Sequence, residues 1–242
     1  MKPIAIVQAR MASTRLPGKV LARICDSTLL EYVLHRCKLS LELNGVVLAT
    51  TTLKDDDPLE LIGRSMGVGV FRGSESDVLE RYILAAEAAS VDVIVRITGD
   101  SPLIDPGIID QVIELYLESH CDYVFISGYP NGLGAAEVLT VPSLRRAYEE
   151  TTVGDTHYRE HVMTYLTDNP SKFSLCIKQA PRDLYRPELR LCVDEQPDLD
   201  VVRLICEHFY PRRDFSAREI ITFLDRHPEV SRINTHVKQK AW

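Results

Sequence analysis

The sequence predicts an α/β fold with a mainly parallel, Rossmann-like sheet in three layers. Apolar, strand-like runs alternate with amphipathic helical segments through the first half of the 242 residues. That order is typical of right-handed βαβ units, which build a parallel sheet covered by helices on both faces. Apolar residues make up 45% of the chain, which is enough to supply the large core that such a fold needs.

The first half of the chain begins with a strand predicted at 3–8. Its apolar run has no polar side chain before Gln8, so we expect a central strand that is buried on both faces. A helix follows from about residue 28, because Thr28 and Glu31 have the spacing of a capping box. The remaining predicted elements of this half are strands at 45–51, 68–72 and 92–98 and helices at 57–66 and 76–89.

The second half of the chain breaks this alternation. A helix at 106–119 and a strand at 122–127 precede 128–137, a loop rich in Gly, Pro and Asn. Irregular loops of this length commonly carry binding surfaces. We therefore predict one domain over 1–242, with a small insertion for substrate or dimer contacts within 128–190. The remaining predicted elements are helices at 142–150, 156–167, 197–209 and 216–227 and strands at 172–178 and 189–193.

Composition and charge narrow the class of protein. The net charge of −7 argues against general nucleic-acid binding, so an anionic ligand would need a local cluster of cations. The six cysteines are scattered without zinc-binding spacing and are expected to be reduced. The N-terminus does not resemble a signal peptide, and no uninterrupted apolar run of about 18 residues occurs. We expect a cytoplasmic protein without membrane insertion.

A cluster of cations follows the first strand. Arg10, Arg15 and Lys19 share a turn with the hydroxyls of Ser13 and Thr14. In open α/β sheets this turn lies at the carboxyl edge, where ligands bind. Its backbone N–H groups and cations predict a cradle for a polyphosphate, the alternative being an ordinary surface turn that is basic. Without a ligand, the side chains of Arg15 and Lys19 are expected to face solvent.

Two common phosphate-binding motifs do not fit this turn. A Walker A loop needs Gly at the position of Ser13 and Ser or Thr at that of Val20, and a GxGxxG run is absent.

Nucleotidyl transfer needs cations for the triphosphate and carboxylates for Mg²⁺. Arg10 and Arg15 suit bidentate contacts with phosphate oxygens, whereas Lys19 is a compact charge that suits the leaving pyrophosphate.

Six blocks of sequence follow one another along most of the chain: QARMASTRLPGK (8–19), FRGSESDVLERY (71–82), VRITGDSPLID (95–105), YPNGLGAAEV (129–138), YREHV (158–162) and RLCVDEQPDLDVV (190–202). These blocks resemble the cytidylyltransferases that activate acidic sugars, the CMP-KDO and CMP-sialic acid synthetase superfamily, and most closely its spore coat polysaccharide biosynthesis protein F branch. The resemblance implies a fold of the nucleotide-diphospho-sugar transferase type. It also implies transfer of CMP from CTP to a 3-deoxy-ulosonic or nonulosonic acid, with release of pyrophosphate, for surface polysaccharide biosynthesis.

Two carboxylates are expected to form the metal site. Asp100 follows a buried strand through Gly99 and emerges at the edge that carries the cradle. Asp194 closes the apolar run 191–193 and resembles the Asp of the family's V-D-x-P-x-D-L block. We expect these two side chains to meet at one Mg²⁺, the expected cofactor, because each closes an apolar strand at the same edge of the sheet. Asp105 precedes a proline and is expected to cap the next helix instead.

The resemblance assigns further residues to the nucleotide. Gly73, Ser74 and Asp77 lie in the segment that borders the base and the ribose in the resembling proteins. Arg81 is explained equally by an ion pair with Asp77, one helical turn earlier, and by ligand contact. The expected catalytic residues are Arg10, Arg15, Lys19 and Asp100. The expected nucleotide-binding residues are Ala9, Arg10, Ser13, Thr14, Arg15, Lys19, Gly73, Ser74, Asp77, Thr98 and Gly99.

In the resembling enzymes the acceptor sugar approaches the loop 128–137 and the helix predicted at 156–167. On that helix Arg159, Glu160 and His161 are expected to share one face. His161 is explained by a role as general base for the attacking hydroxyl or as a structural histidine. Arg96 alternates outward from its strand and would need a partner if buried. The dimeric arm that these enzymes place here implies a homodimer. The expected substrate-binding residues are Asn131, Gly132, Glu137, Glu160 and His161.

Two other functions remain open from the residues. A metal-dependent glycosyltransferase shares the sheet and a carboxylate site, but it normally has D-x-D after a strand, and the cluster 55–57 precedes Pro58 as at a helix start. A non-catalytic nucleotide-binding protein is disfavoured, since the cradle cations and both metal carboxylates are present.

CMP-KDO enzymes commonly carry Gln-Gly-Asp-Glu-Pro where 98–102 reads Thr-Gly-Asp-Ser-Pro, so the acceptor stays open among acidic sugars, phosphonates and small alcohols.

Overall fold

Residues 2–238, the part of the chain that the computed structural model describes, form nine strands and ten α-helices. The single domain predicted over 1–242 thus includes residues 1 and 239–242, which lie outside the described residues. The strands are β1 (Ile4–Gln8), β2 (Arg23–Ile24), β3 (Ser27–Thr28), β4 (Val46–Thr51), β5 (Gly69–Gly73), β6 (Val93–Thr98), β7 (Tyr123–Ser127), β8 (Glu137–Thr140) and β9 (Leu175–Gln179). The helices are α1 (Leu29–Cys37), α2 (Asp57–Ser65), α3 (Val78–Ala88), α4 (Pro106–Ser119), α5 (Val141–Glu149), α6 (Thr156–Glu160), α7 (Thr164–Asp168), α8 (Gln196–Phe209), α9 (Ala217–Arg226) and α10 (Pro228–Arg232).

Seven of the described strands form one sheet, in the order β5-β4-β1-β6-β8-β7-β9. The strand β1 pairs in parallel with β4 and β6, so that Val7 lies between Leu48 and Ile97. The pairs β4–β5 and β7–β9 are also parallel. The predicted α/β class with a mainly parallel sheet is confirmed.

Helices cover both faces of this sheet, as the predicted three layers require. Because side chains alternate along a strand, Ala5 and Val7 of β1 enter one core, which α1, α4, α8 and α9 cover. Ile4 and Ile6 enter the opposite core with α3 and α5. The buried central strand predicted at 3–8 is therefore confirmed, and its carboxyl end opens between the two layers.

The strand β8 is the main element that the sequence analysis missed. It runs antiparallel between β6 and β7, where the prediction had a loop through residue 137 and then a helix. Its four residues lie between a Gly-rich loop and the proline of α5, so the local pattern is too short to indicate a strand. Pairing with two distant strands satisfies its backbone, and that stabilisation is not visible in local sequence.

Two other predicted elements differ. The strand predicted at 189–193 is wrong: this segment hydrogen bonds to loops, with Leu191 N–H donating to Asn131 C=O (2.7 Å) and Val193 N–H to Asp100 C=O (2.8 Å). The helix predicted at 156–167 is two short helices, α6 and α7, because His161 leaves helical geometry. The first difference changes the backbone that leads to Asp194, and the second changes the backbone at His161, and both residues belong to the expected site.

Local capping signals are confirmed. The capping boxes of Thr28 with Glu31 and of Ser216 with Glu219 both form. Asp105 caps α4 by accepting the Ile108 N–H at 3.1 Å. All six cysteines are free thiols, and within residues 2–238 no helix has the length and apolar character needed to cross a membrane.

Candidate active site

A cavity of about 420 Å³ opens at the carboxyl ends of β1 and β6. It is lined by residues from the cradle, from β6 and its following turn, from the loop before β8 and from α6. Eight of the expected nucleotide-binding residues line it: Ala9, Arg10, Ser13, Thr14, Arg15, Lys19, Thr98 and Gly99. The structure thus brings the cradle and the Asp100 turn together at one opening.

The cradle loop is held by its own backbone and by one buried carboxylate. Gly18 has φ of +69°, a conformation that favours glycine, and its N–H donates to Met11 C=O at 3.1 Å. Met11 N–H donates to Oδ1 of Asp56 at 2.7 Å, and Asp56 is also bound by the Thr51 hydroxyl. Asp56, the central residue of the acidic cluster 55–57, therefore holds the cradle loop in place. This structural role agrees with a helix start and not with the D-x-D metal motif of a glycosyltransferase.

Lys19 lies between the two expected metal carboxylates. Its Nζ is 3.0 Å from Asp100 Oδ2, 3.0 Å from Asp194 Oδ1 and 2.6 Å from Val193 C=O. Burial opposes the ammonium charge, but Asp100 and Asp194 outweigh that effect and raise the pKa of Lys19. The expectation of a solvent-facing Lys19 is wrong, since only 11% of its side chain is exposed.

Asp194 is surrounded by cations. Arg15 Nη2 lies 2.8 Å from its Oδ1, which also contacts Lys19, and Arg190 donates to its Oδ2. Burial opposes the carboxylate charge, but Lys19, Arg15 and Arg190 together hold the pKa of Asp194 below its usual value. Arg15 is likewise not solvent-facing, with 21% of its side chain exposed, because Asp194 draws it inward.

Asp198 positions Asp194, a role that the sequence did not reveal. The sequence places Asp198 in the first turn of α8, where the helix dipole explains a carboxylate. In the structure its Oδ2 accepts the N–H groups of Asp194 and Glu195, both at 3.0 Å. Its Oδ1 accepts Arg190 Nε and Asn234 Nδ2, both at 2.9 Å. The capping-box spacing of residues 195 and 198 was the signal that could have indicated this contact.

The donor set at this centre fits Mg²⁺. Oxygens of Asp100 and Asp194 contact the same Lys19 nitrogen, so they can be no further apart than twice the 3.0 Å contact. Within residues 2–238 no cluster of three or more His, Cys, Asp or Glu is arranged to hold a metal. Mg²⁺ does not require one, because it commonly takes one or two carboxylates and completes its shell with water and phosphate oxygens.

The segment expected near the base and ribose lies beside the cavity. Gly73, Ser74 and Asp77 are not among the described residues that line it. Asp77 caps α3 and pairs with Arg159 at 3.1 Å, so the ion pair considered for Arg81 is absent from the described contacts. Arg81 instead lines the cavity, is almost fully buried and donates to Ser74 C=O.

The expected acceptor residues divide into two groups. Asn131, Glu137, Glu160 and His161 line the cavity. Gly132 does not; its φ is +100°, and an added Cβ would lie 2.6 Å from the Cys192 nitrogen, so this glycine permits close packing against the Asp194 segment. Arg159 is also turned away, since it is buried against Asp77 and the ring of Tyr148.

The buried charge of Arg96 is paired with Glu137. It faces Glu137 across the β6–β8 pair and forms an ion pair with it. Glu137 also accepts the Tyr123 hydroxyl at 2.8 Å. Burial opposes the charge of Arg96, but Glu137 overcomes that effect and raises the pKa of Arg96.

The outer part of the cavity carries a second ion pair and a histidine. Arg10 Nη2 lies 3.3 Å from Glu160 Oε1, which links the cradle to α6. Burial is the main reason that the pKa of His161 lies below its ordinary value, and this favours the neutral imidazole near pH 7. The site therefore presents anion-binding groups at one end and a titratable base at the other.

Comparisons with known proteins agree with this geometry. Residues 4–218 match the family model described as cytidylyltransferase. The chain is 39% identical over its whole length to an uncharacterized protein of Methanocaldococcus jannaschii, of which it covers 98%. It is 35% identical to the spore coat polysaccharide biosynthesis protein SpsF of Bacillus subtilis, over 93% of this chain and 95% of that protein.

A shorter match and two solved structures extend the comparison. The chain is 38% identical to a 3-deoxy-manno-octulosonate cytidylyltransferase of Solibacter usitatus over 46% of this chain and 44% of that protein. A cytidylyltransferase structure from Leptospira borgpetersenii has a TM-score of 0.87 at 31% identity and covers 100% of this chain and 99% of its own. A CMP:2-keto-3-deoxy-manno-octonic acid synthetase bound to CTP has a TM-score of 0.64 at 16% identity, over 86% of this chain and 99% of its own, and supports the fold alone.

Proposed function

The chain belongs to the cytidylyltransferase family, and on that premise we propose that it transfers CMP from CTP to an acidic sugar and releases pyrophosphate. The observation that carries the proposal is the convergence of Arg15 and Lys19 with Asp100 and Asp194 at one cavity. Cations for a triphosphate and carboxylates for a metal are the two needs of nucleotidyl transfer.

The reaction is a displacement at the α-phosphorus of CTP. An acceptor hydroxyl oxygen forms a bond to that phosphorus, the bond to the bridging oxygen of the β-phosphate breaks, and pyrophosphate leaves. Arg10, Arg15 and Lys19 bind the triphosphate and stabilise the negative charge that grows on the leaving group. Arg15 and Lys19 also form ion pairs with Asp194, so the same two cations would serve both the triphosphate and that carboxylate.

Asp100 and Asp194 would hold Mg²⁺ together with the triphosphate. When bound, Mg²⁺ neutralises the phosphate oxygens and polarises the α-phosphate. Asp198 keeps the backbone of Asp194 in place at 3.0 Å, so that carboxylate is oriented before any ligand arrives. His161 lies on the cavity wall and accepts the proton of the attacking hydroxyl, as its neutral form allows.

The acceptor class follows from the named relatives. One relative bears the name of a spore coat polysaccharide biosynthesis protein, and another acts on 3-deoxy-manno-octulosonate, a 3-deoxy sugar acid. We infer a 3-deoxy-ulosonic or nonulosonic acid as acceptor and surface polysaccharide biosynthesis as the destination of the product. Six free thiols support a reducing, cytoplasmic setting.

We also propose a homodimer that uses part of 128–190. The strand β9 belongs to this segment and forms an edge of the sheet. Its Ile177 is 53% exposed, an apolar side chain on an edge that no other described strand pairs with. Unprotected edge strands favour pairing or packing with another chain, and a second copy of this chain is the simplest partner.

A nucleotide screen tests the proposed function. Each of the four ribonucleoside triphosphates is incubated with Mg²⁺ and a panel of acidic sugars, and pyrophosphate release is measured with and without the sugar. We expect release that depends on both CTP and an acidic sugar, together with a CMP-sugar product by mass spectrometry. Release with another triphosphate only, or no release under any pairing, would contradict the proposal.

A further inference from the structure

Arg96 occupies the inner wall of the cavity, beyond the cradle. It precedes Thr98 by two residues on β6, so both side chains lie on the same face of the sheet, about 7 Å apart along the strand. Both residues line the cavity. Only 12% of the Arg96 side chain is exposed. Arg96 therefore places a largely buried positive charge on the inner wall of the cavity, away from the end that would bind the triphosphate.

One edge of the Arg96 guanidinium lacks a protein partner. Glu137 accepts a hydrogen bond from Nη1. Nε is enclosed by protein and has no hydrogen-bond partner within residues 2–238, so it is closed to a ligand. Nη2 also makes no hydrogen bond to the described residues, but it is not enclosed and keeps accessible surface. An accessible Nη2 can donate a charge-assisted hydrogen bond to a carboxylate.

The surroundings of Nη2 suit an anion. Glu137 already holds Arg96 in one orientation, and Glu137 is itself fixed by Tyr123. Phe125 lies next to Glu137 across the sheet and lines the cavity, which limits competition from water. Arg81 lines the same cavity and forms no ion pair in the described part of the chain, so Arg81, Arg96 and Glu137 together carry a net positive charge.

We propose that Arg96 binds the carboxylate of the acceptor through Nη2. Arg96 then selects an acidic sugar over a neutral one, and it directs the acceptor's hydroxyl toward the α-phosphate while the cradle holds CTP. This inference rests on the proposed cytidylyl transfer and adds to it a residue and a contact. Arg96 is a binding residue in this account, and Glu137 is the residue that positions it.

The test separates acceptor binding from CTP binding. Arg96→Lys keeps the charge but removes the Nη2 donor. Arg96→Gln combined with Glu137→Gln removes both charges, so no buried charge is left alone if the single variant fails to fold. Arg145→Lys, at a half-exposed arginine paired with Glu87, is the matched control. For each protein we measure CTP affinity by calorimetry without acceptor, and KM and kcat for the acidic sugar that turns over best in the screen.

We expect Arg96→Lys to raise the acceptor KM by about ten- to one-hundredfold, the loss typical of a charge-assisted hydrogen bond, with CTP affinity within about twofold of wild type. The control should match wild type. The wild-type protein should also prefer the sugar acid to its C1 amide, and both Arg96 variants should lose that preference.

Several results would overturn the inference. An unchanged acceptor KM in the variants would do so, as would a parallel loss of CTP affinity, which would assign Arg96 to a nucleotide phosphate. Equal use of acid and amide by the wild type would contradict it even if no variant folds. If CTP drives transfer only to neutral hydroxyl compounds, this inference fails and cytidylyl transfer stands. If the wild type neither binds nor uses CTP, the proposed function fails and this inference with it.

Discussion

The ammonium nitrogen of Lys19 lies 3.0 Å from Oδ1 of Asp194, although 175 positions separate the two residues in the chain. One belongs to the turn after the first strand and the other to the loop before α8. Their contact places a cation against a carboxylate that would otherwise repel phosphate. Both residues line the cavity, so a change at either one is expected to affect the binding of a triphosphate or its metal ion.

Removing the cradle cations should weaken CTP binding. Lys19→Gln and Arg15→Gln each remove a charge-assisted contact, which should cost about 1.5–3 kcal/mol of CTP binding free energy. Calorimetry with CTP measures this loss, with Arg145→Gln at the protein surface as control. Lys19→Gln should also lower the melting temperature of the free protein, because Asp100 and Asp194 lose their shared cation. Unchanged CTP affinity in both cradle variants would refute the cradle assignment.

Neutralising either metal carboxylate should abolish turnover while the fold persists. Asp100→Asn and Asp194→Asn keep shape but lose the charge that would hold Mg²⁺, so kcat should fall by orders of magnitude. Steady-state assays across a Mg²⁺ titration measure this, and circular dichroism reports the fold. Asp200→Asn, at an exposed site on α8, is the control. Near-wild-type rates in either variant would remove that residue from the metal site.

Asp198 should influence turnover through the position of Asp194. Asp198→Asn places an amide where two backbone N–H groups and Arg190 donate, so the loop that carries Asp194 should shift. We expect a lower kcat and a higher Mg²⁺ concentration at half-maximal rate. The affinity for CTP should change less than either of these two quantities. A drop in melting temperature with an unchanged Mg²⁺ dependence would indicate a purely structural role.

His161 should set the acidic limb of the pH profile. Its pKa lies below the ordinary value because of burial, and a general base works only when neutral. The value of kcat/KM should therefore rise with pH through an apparent pKa below that of a free histidine and then level off. In His161→Gln this limb should flatten. His236→Gln, at an exposed histidine that does not line the cavity, is the control. An acidic limb that survives in His161→Gln would exclude this base.

The edge strand β9 should contribute to a homodimer. We expect sedimentation at micromolar concentration to give a mass about twice the 27.3 kDa of one chain. Ile177→Glu places a charge on the exposed edge and should shift the protein toward monomer. Leu61→Glu, at a position on α2 outside 128–190 that is more exposed than Ile177, should not cause this shift. A wild-type protein that sediments as a single monomeric species would contradict the dimer.

Elements whose signals are local could be predicted from the sequence. The strand β1, the capping boxes at Thr28 and Ser216 and the cap at Asp105 depend on residues within one turn of each other. The edge of the sheet that carries Asp100 also followed from strand order alone, because parallel strands share one carboxyl edge. These features needed no knowledge of distant contacts.

Other features depend on contacts between distant segments. The strand β8 exists because β6 and β7 lie on either side of it, and Asp194 is held by loops rather than by the predicted strand. The inward orientation of Arg15 and Lys19 could not be predicted, since their local sequence is equally compatible with solvent. The buried pairing of Arg159 with Asp77 has the same origin.

By itself, the sequence determined most of the strands and helices, though not β8 or the irregular segment 189–193. It also determined which residue types could bind a nucleotide, because backbone propensity and capping act over a few residues. Only the tertiary structure decided which charges meet. Burial in the cavity penalises an unpaired charge, so Lys19 and Arg96 adopt orientations in which each reaches a carboxylate that is distant in the chain. For this reason Lys19 lies between Asp100 and Asp194, and Glu137 holds Arg96.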